Sequence, residues 1–202
     1  MKKMALLWLG IALIVIGIVG IASVMAYTQS GTSLGPVITQ PGVPRGPMRG
    51  TVDARFIEEM IPHHEDAIAM AELALTHAEH PEIRELAQDV IRTQSAEIDQ
   101  MREWYEEWFD ADVPDFGGSS GMMGGGMMGG AVDLEELEAA AQFDKVFIEG
   151  MVPHHQMGIM MSQMAGGATS RPEMRDLTES IIEGQSAEIS KMQEWYDEWY
   201  GR

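Results

Sequence analysis

Phe56-Ile57-Glu58-Glu59-Met60-Ile61-Pro62-His63-His64 returns 91 residues later as Phe147-Ile148-Glu149-Gly150-Met151-Val152-Pro153-His154-His155. The register holds without a gap to Trp104-Tyr105-Glu106-Glu107-Trp108, matched by Trp195-Tyr196-Asp197-Glu198-Trp199. From Phe56 to Phe109, 26 of 54 aligned positions are identical, so the domain is an internal duplication. Within the first copy Phe56, Met60, Ala67, Met70 and Ala74 recur at three- and four-residue steps, the period of an amphipathic helix.

Working outward, the first copy predicts helices over about 52–78 and 81–109, and the second over about 133–165 and 172–200. Pro81-Glu82 suits a helix start, because proline lacks only an N–H that would have no partner there and the acid faces the positive end of the dipole. Asp133 with Glu136, and Ser170 with Glu173, have capping-box spacing, and Gly166-Gly167 reads as the end of the third helix. No segment alternates with period two. The fold class expected is all-α: an antiparallel four-helix bundle of two duplicated hairpins, since neither hairpin can bury its apolar stripe alone. Pro62 and Pro153 fall inside helices directly before the His pairs and are expected to kink them.

Around this domain, residues 51–202, lie three further segments. Met1-Lys2-Lys3 precedes an uncharged apolar run from Met4 to about Met25, long enough at about 1.5 Å per residue to cross a bilayer. It reads as a transmembrane anchor over 1–26, with Lys2 and Lys3 held in the cytoplasm. The alternative is a signal peptide cleaved near Val24-Met25-Ala26, which would release a secreted protein. Either way the remainder faces the periplasm or cell exterior. Residues 27–50, rich in Gly, Pro, Ser and Thr, read as a flexible tether. Between repeat one (51–110) and repeat two (133–202), the linker 111–132 carries Met122, Met123, Met127 and Met128 among glycines. A glycine-rich linker offers methionine no core to pack in, so these four argue for thioether chemistry.

The composition narrows the chemistry. Thirteen basic against 32 acidic residues give a formal net charge of −19, which excludes nucleic acid as a partner. There is no cysteine, so any soft-metal site must use His, Met and carboxylates. Eighteen methionines exceed what packing needs. On a helical wheel with Met60 at zero, His63 falls near about 300° and Met70 near about 280°, with small Ala67 between them and His64, near about 40°, on the flank. Met151, His154 and Met161 repeat this face around Gly158, with Met157, Met160 and Met164 nearby; Met101 and Met192 stand on the partner helices. Thioether and imidazole suit Cu(I), and Ag(I) by the same softness. Thioethers do not titrate, whereas the imidazole contribution is expected to fade in acid.

No catalytic residues stand out. A di-iron bundle needs Glu-x-x-His on two helices, and neither His pair has it. No nucleophile–base–acid set is apparent, so the chain does not read as an enzyme. The paired Trp-Tyr-Trp ends read as packing at the bundle ends.

With Phe-Ile-x-x-Met-[Ile/Val]-Pro-His-His, its downstream Met, and Gln-Ser-x-Glu-Ile-x-x-Met-x-x-Trp in hand, the chain resembles the domain of unknown function 305 family over about residues 51–200. The resemblance implies a ferritin-like four-helix bundle and a link to copper binding and resistance. It also implies Met60, His63, His64 and Met70, with Met151, His154, His155 and Met161, as ligand candidates. Glu65-Asp66-Ala67 and Gln156-Met157-Gly158 depart from the Gln-Gly-Ala common after the family's His pair, so the two sites are expected to differ in strength.

The reading that emerges is an extracytoplasmic copper protein for sequestration, resistance or handover, with a copper donor or acceptor protein as partner. Met101 and Met192 join the ligand candidates, and Met122, Met123, Met127, Met128 and Met157 form a weaker set. The competing reading is a structural or interaction bundle whose Met and His are core residues.

Overall fold

The computed structural model describes residues 52–114 and 133–201, which form five helices and no strand. These are α1 (Val52–His77), α2 (Pro81–Phe109), α3 (Leu134–Glu138), α4 (Phe143–Ala168) and α5 (Pro172–Tyr200). The expected anchor, the tether and Met122, Met123, Met127 and Met128 lie outside the described residues. Among the described residues, no helix is long and apolar enough to cross a membrane.

Local chemistry sets most boundaries. His80 and Arg171, each preceding a proline, are extended (ψ 131° and 123°), because the proline ring disfavours the helical region for its predecessor. At the far end of α2, Asp110 turns left-handed (φ 50°) and its N–H bonds the Glu106 carbonyl. Two expectations fail. The helix foreseen over 133–165 is broken: Asp133 caps only the short α3, through the N–H groups of Glu135 and Glu136, and α4 begins at Phe143. Ala139-Ala140-Ala141 contains no helix breaker, so the break answers a tertiary demand. Asp144, buried in the first turn of α4, accepts from the Glu79 and His80 backbone N–H groups and from His80 Nδ1 (2.6 Å), closing the α1–α2 turn. The second failure is the Ser170 cap. Thr169 Oγ1 accepts from the Arg171 N–H instead, and α4 runs past Gly166-Gly167 to Ala168.

Two hairpins, α1–α2 and α4–α5, pack with α1 and α4 antiparallel. Direction is fixed at both ends: Asp144 holds the end of α1, and Arg171 Nε reaches Asp53 Oδ2 (3.3 Å) at its start. The two ends are duplicates that have diverged. At one, His80 stacks on Trp199 (3.7 Å, 5°); at the other, Arg171 lies over Trp108 (4.1 Å). The paired tryptophans thus pack the bundle ends, as expected, and each pair is stacked.

Two apolar cores lie along the bundle. One gathers Met70, Ala74, Ile83, Val90, Phe147, Met151 and Met192, and the other Phe56, Met60, Ile98, Met101, Met174 and Ile181. A buried polar set belongs to neither: His64, Gln94, His155, Ser162, Thr178 and Gln185. Both helices run unbroken through Pro62 and Pro153, whose rings sit on the exposed face.

Candidate metal centre

The antiparallel crossing of α1 and α4 brings the two His pairs together. His63 and His154 overlap with ring centroids 3.8 Å apart, and each lies about one ring away from its neighbour (6.3 Å to His64, 6.2 Å to His155). The two copies therefore build one shared imidazole centre and not two separate sites. His64 and His155, expected on the flank, are fully buried, while His63 and His154 are half-buried. The wheel misplaced His64 because it was centred on Met60; the buried arc runs through Ile57, Ile61, His64 and Ala71, with His64 in its middle.

Each buried histidine is anchored to the partner helix of its own hairpin. His64 Nε2 donates to Glu97 Oε2 (2.8 Å), and His155 Nε2 donates to Glu188 Oε2 (2.6 Å). A carboxylate can only accept, so these rings hold the proton on Nε2 and, when neutral, carry their lone pair on Nδ1. His63 Nε2 donates to the His154 carbonyl (3.1 Å), which fixes the same tautomer. Gly158 permits that approach: a Cβ there would stand 3.1 Å from His63 Cε1 and 2.5 Å from Gln185 Oε1. At the matching place in the first copy sits Ala67, and His154 makes no corresponding bond.

Among the described residues, the Nδ1 atoms of His63, His64 and His155 and both ring nitrogens of His154 are buried without a hydrogen-bond partner. Gln94 Oε1, Gln185 Oε1 and Ser162 Oγ share that condition. Leaving such a group unsatisfied costs about 1–3 kcal/mol each, and folded proteins rarely tolerate several together. An imidazole with one nitrogen tied to a carboxylate and a free lone pair on the other is the arrangement that orients a metal ligand. Burial, reinforced by the charges that neighbouring imidazoles would carry, pushes the His63 pKa down to about 3 and the His154 pKa down to about 2. These two rings keep their lone pairs in mild acid, so the expected fading of the imidazole contribution does not apply to them.

The methionines divide differently from the sequence grouping. Met60 and Met70 are ten residues apart, about 15 Å along the helix axis, too far to share one ion. Met60 and Met101 pack in one core, and Met151, Met192 and Met70 in the other; all five are buried. Met60 and Met151 lie within about one turn of the His pairs and can border the centre, whereas Met70 stands about two turns away. Met161 and Met157 are only half-buried, and Met161 packs on the core that holds Met60.

Among the described residues, no three His, Asp or Glu side chains are grouped so that they could hold one metal ion. That donor set does not fit zinc or calcium, which want four nitrogen or sulfur donors or many oxygens. It fits a soft monovalent ion that accepts few imidazoles completed by thioether sulfur. The sequence reading missed Glu97, Glu188, Gln94 and Gln185. The signal was visible in the Gln-Ser-Ala-Glu-Ile phrase kept in both copies, whose polar side chains sit where an amphipathic helix would turn apolar residues inward.

Solved structures share this fold. CopM in its Cu(I)-bound form is 47% identical over 74% of this chain and 98% of its own, with a TM-score of 0.65. The Cu(II)-bound form of CopM matches at 48% identity and a TM-score of 0.66, over 73% and 97%, and the Ag-bound form at 48% and 0.65, over 74% and 98%. A DUF305 protein from Streptomyces coelicolor is 25% identical over 74% of this chain and 94% of its own, with a TM-score of 0.65. Protein L153 of Acanthamoeba polyphaga mimivirus is 40% identical over 55 residues, 27% of this chain and 36% of the viral protein. The family described as Domain of unknown function (DUF305) matches residues 53–196, and the chain belongs to it.

Proposed function

We infer that this chain binds copper as Cu(I) at the imidazole centre between α1 and α4, and holds it for sequestration or handover outside the cytoplasmic membrane. One observation carries the reading. Four imidazoles lie close together inside the helical bundle, three of them locked in the Nε2–H tautomer with a buried, unpartnered Nδ1 lone pair. CopM, solved with Cu(I), Cu(II) and silver, supports the choice of metal. In this reading the nitrogen ligands are drawn from His63, His64, His154 and His155, no more than two of them on one ion, with Met60 and Met151 the nearest buried thioethers and Met101 and Met192 behind them. Met70 drops out of the first coordination sphere. No catalytic role is assigned. The apolar run from Met4 to Met25 supports an anchored, extracytoplasmic location, from which a donor or acceptor protein would exchange copper with the bundle.

The test is an anaerobic Cu(I) titration of the full chain against a competing chelator, beside His63→Ala/His154→Ala and His64→Phe/His155→Phe. The expected result is tight binding by the parent chain that the variants lose while staying helical. A parent chain that does not compete for Cu(I), with variants that only melt earlier, leaves the bundle structural. Zn(II) is expected neither to compete nor to raise the melting temperature.

A further inference from the structure

A second feature of α4 takes no part in the imidazole centre. Met157, Met160, Met161 and Met164 occupy positions i, i+3, i+4 and i+7, so they form one contiguous ridge on the helix surface, with neighbouring Cβ atoms about 5–6 Å apart. The ridge faces outward. Met164 is 69% exposed and Met160 40%, and among the described residues these are two of the four exposed large apolar side chains. The matching positions of α1 hold Asp66, Ala69, Met70 and Leu73, and Met70 is buried in the core. The ridge is therefore not inherited packing that both copies keep; it belongs to the second copy alone.

Packing accounts for Met161, which lies against a core, but not for the exposed Met160 and Met164. A methionine at 69% exposure gains little burial, and a long apolar side chain on an acidic, soluble surface is usually replaced by a polar one. What the four share is sulfur. Thioether ligands are flexible, uncharged and soft, and three or four on adjacent turns can close around one monovalent soft ion without any backbone change. The surplus of 32 acidic over 13 basic residues favours the approach of a cation.

The geometry points to a separate surface site for one Cu(I) or Ag(I) ion, built from Met157, Met160, Met161 and Met164 on α4. This site is independent of the imidazole centre: its ligands are all thioethers, and its outer pair lies in solvent.

The test uses the full chain and Ag(I), with methionine methyl groups labelled for NMR. Addition of Ag(I) is expected to shift the Met160 and Met164 methyl resonances, identified by their loss in Met160→Leu and Met164→Leu. The quadruple variant M157L/M160L/M161L/M164L keeps the apolar volume and removes the sulfur, and is expected to bind one equivalent fewer. The exposed double variant M160L/M164L, which touches no core residue, is expected to weaken that equivalent at least tenfold. In a His64→Phe/His155→Phe background the ridge equivalent should persist, which separates failure of this site from failure of the buried one. Unmoved Met160 and Met164 methyls, or an unchanged stoichiometry in the leucine variants, would overturn the assignment.

Discussion

Replacing Glu188 by Gln probes the centre without touching a proposed ligand. Glu188 Oε2 accepts from His155 Nε2 at 2.6 Å, and His155 is fully buried, so this bond alone decides which ring nitrogen carries the proton. A glutamine side chain can accept from Nε2–H through its oxygen, or donate through its NH₂ to an unprotonated Nε2. In the second arrangement the proton moves to Nδ1 and the lone pair turns away from the centre. Loss of a partner behind a ligating histidine typically lowers metal affinity by about 10–100-fold, and that is the expected loss of Cu(I) affinity. Loss of the charge-assisted bond costs about 1.5–3 kcal/mol of stability, which for a domain of this size lowers the melting temperature by roughly 3–12 °C. The assay is paired: chelator competition for Cu(I), and a thermal melt of the metal-free protein. Glu97→Gln is expected to act alike through His64 (2.8 Å), and the double variant to lose more than either. A fall in melting temperature with Cu(I) affinity unchanged within about threefold would refute the tautomer argument and make both carboxylates structural.

The remaining expectations concern the architecture around the centre. His63 and His154 are neutral in the fold down to about pH 3 and about pH 2, yet titrate near 6.5 when unfolded, so between pH 6.5 and 3 the unfolded chain binds more protons. Stability conferred by these rings is thus fully present above pH 6.5 and lost as pH falls, by up to ~2.7 kcal/mol per pH unit for the two together; urea unfolding should show this slope, and His63→Gln/His154→Gln should flatten it. Gly158→Ala gains about 1 kcal/mol of helix propensity but meets Gln185 Oε1 at 2.5 Å and His63 Cε1 at 3.1 Å, so a net loss is expected, with weaker Cu(I) binding. A variant more stable than the parent would show that Gln185 moves freely. Asp144→Asn puts an amide among three converging N–H donors and is expected to cost about 2–3 kcal/mol in urea denaturation, loosening the α1–α2 turn; unchanged stability would mean the turn holds itself.

Much of the fold was legible because the helix signals are local. Pro81 and Pro172 mark the starts of α2 and α5, and the apolar period of the first copy gives α1 nearly to the residue. The break at Ala139-Ala140-Ala141 was not legible, since its cause is Asp144 reaching the turn at Glu79 and His80, 65 and 64 residues away in sequence. The same limit governed the site. Duplication makes His63 and His154 equivalent but says nothing about how the copies face each other, so their overlap at 3.8 Å could not be read from spacing. Glu97 and Glu188 lie in a repeated phrase in which only Met101 and Met192 stand out as ligand candidates. Their role emerges only when α2 and α5 are set beside the His pairs.

The close approach of His63 and His154 also constrains the history of the chain. A single hairpin carries one His pair and half a centre, so an unduplicated ancestor could assemble the same four rings only as a twofold dimer, with each hairpin presenting the same face to the other. Joining the hairpins in one polypeptide replaces that encounter with an intramolecular one, at an effective concentration set by the chain. Assembly then no longer depends on how much protein is present. Fusion also releases the halves from identity. Once one gene encodes both faces, Ala67 and Gly158 can part, His80 and Arg171 can take different charges, and one helix alone can acquire a ridge of sulfur.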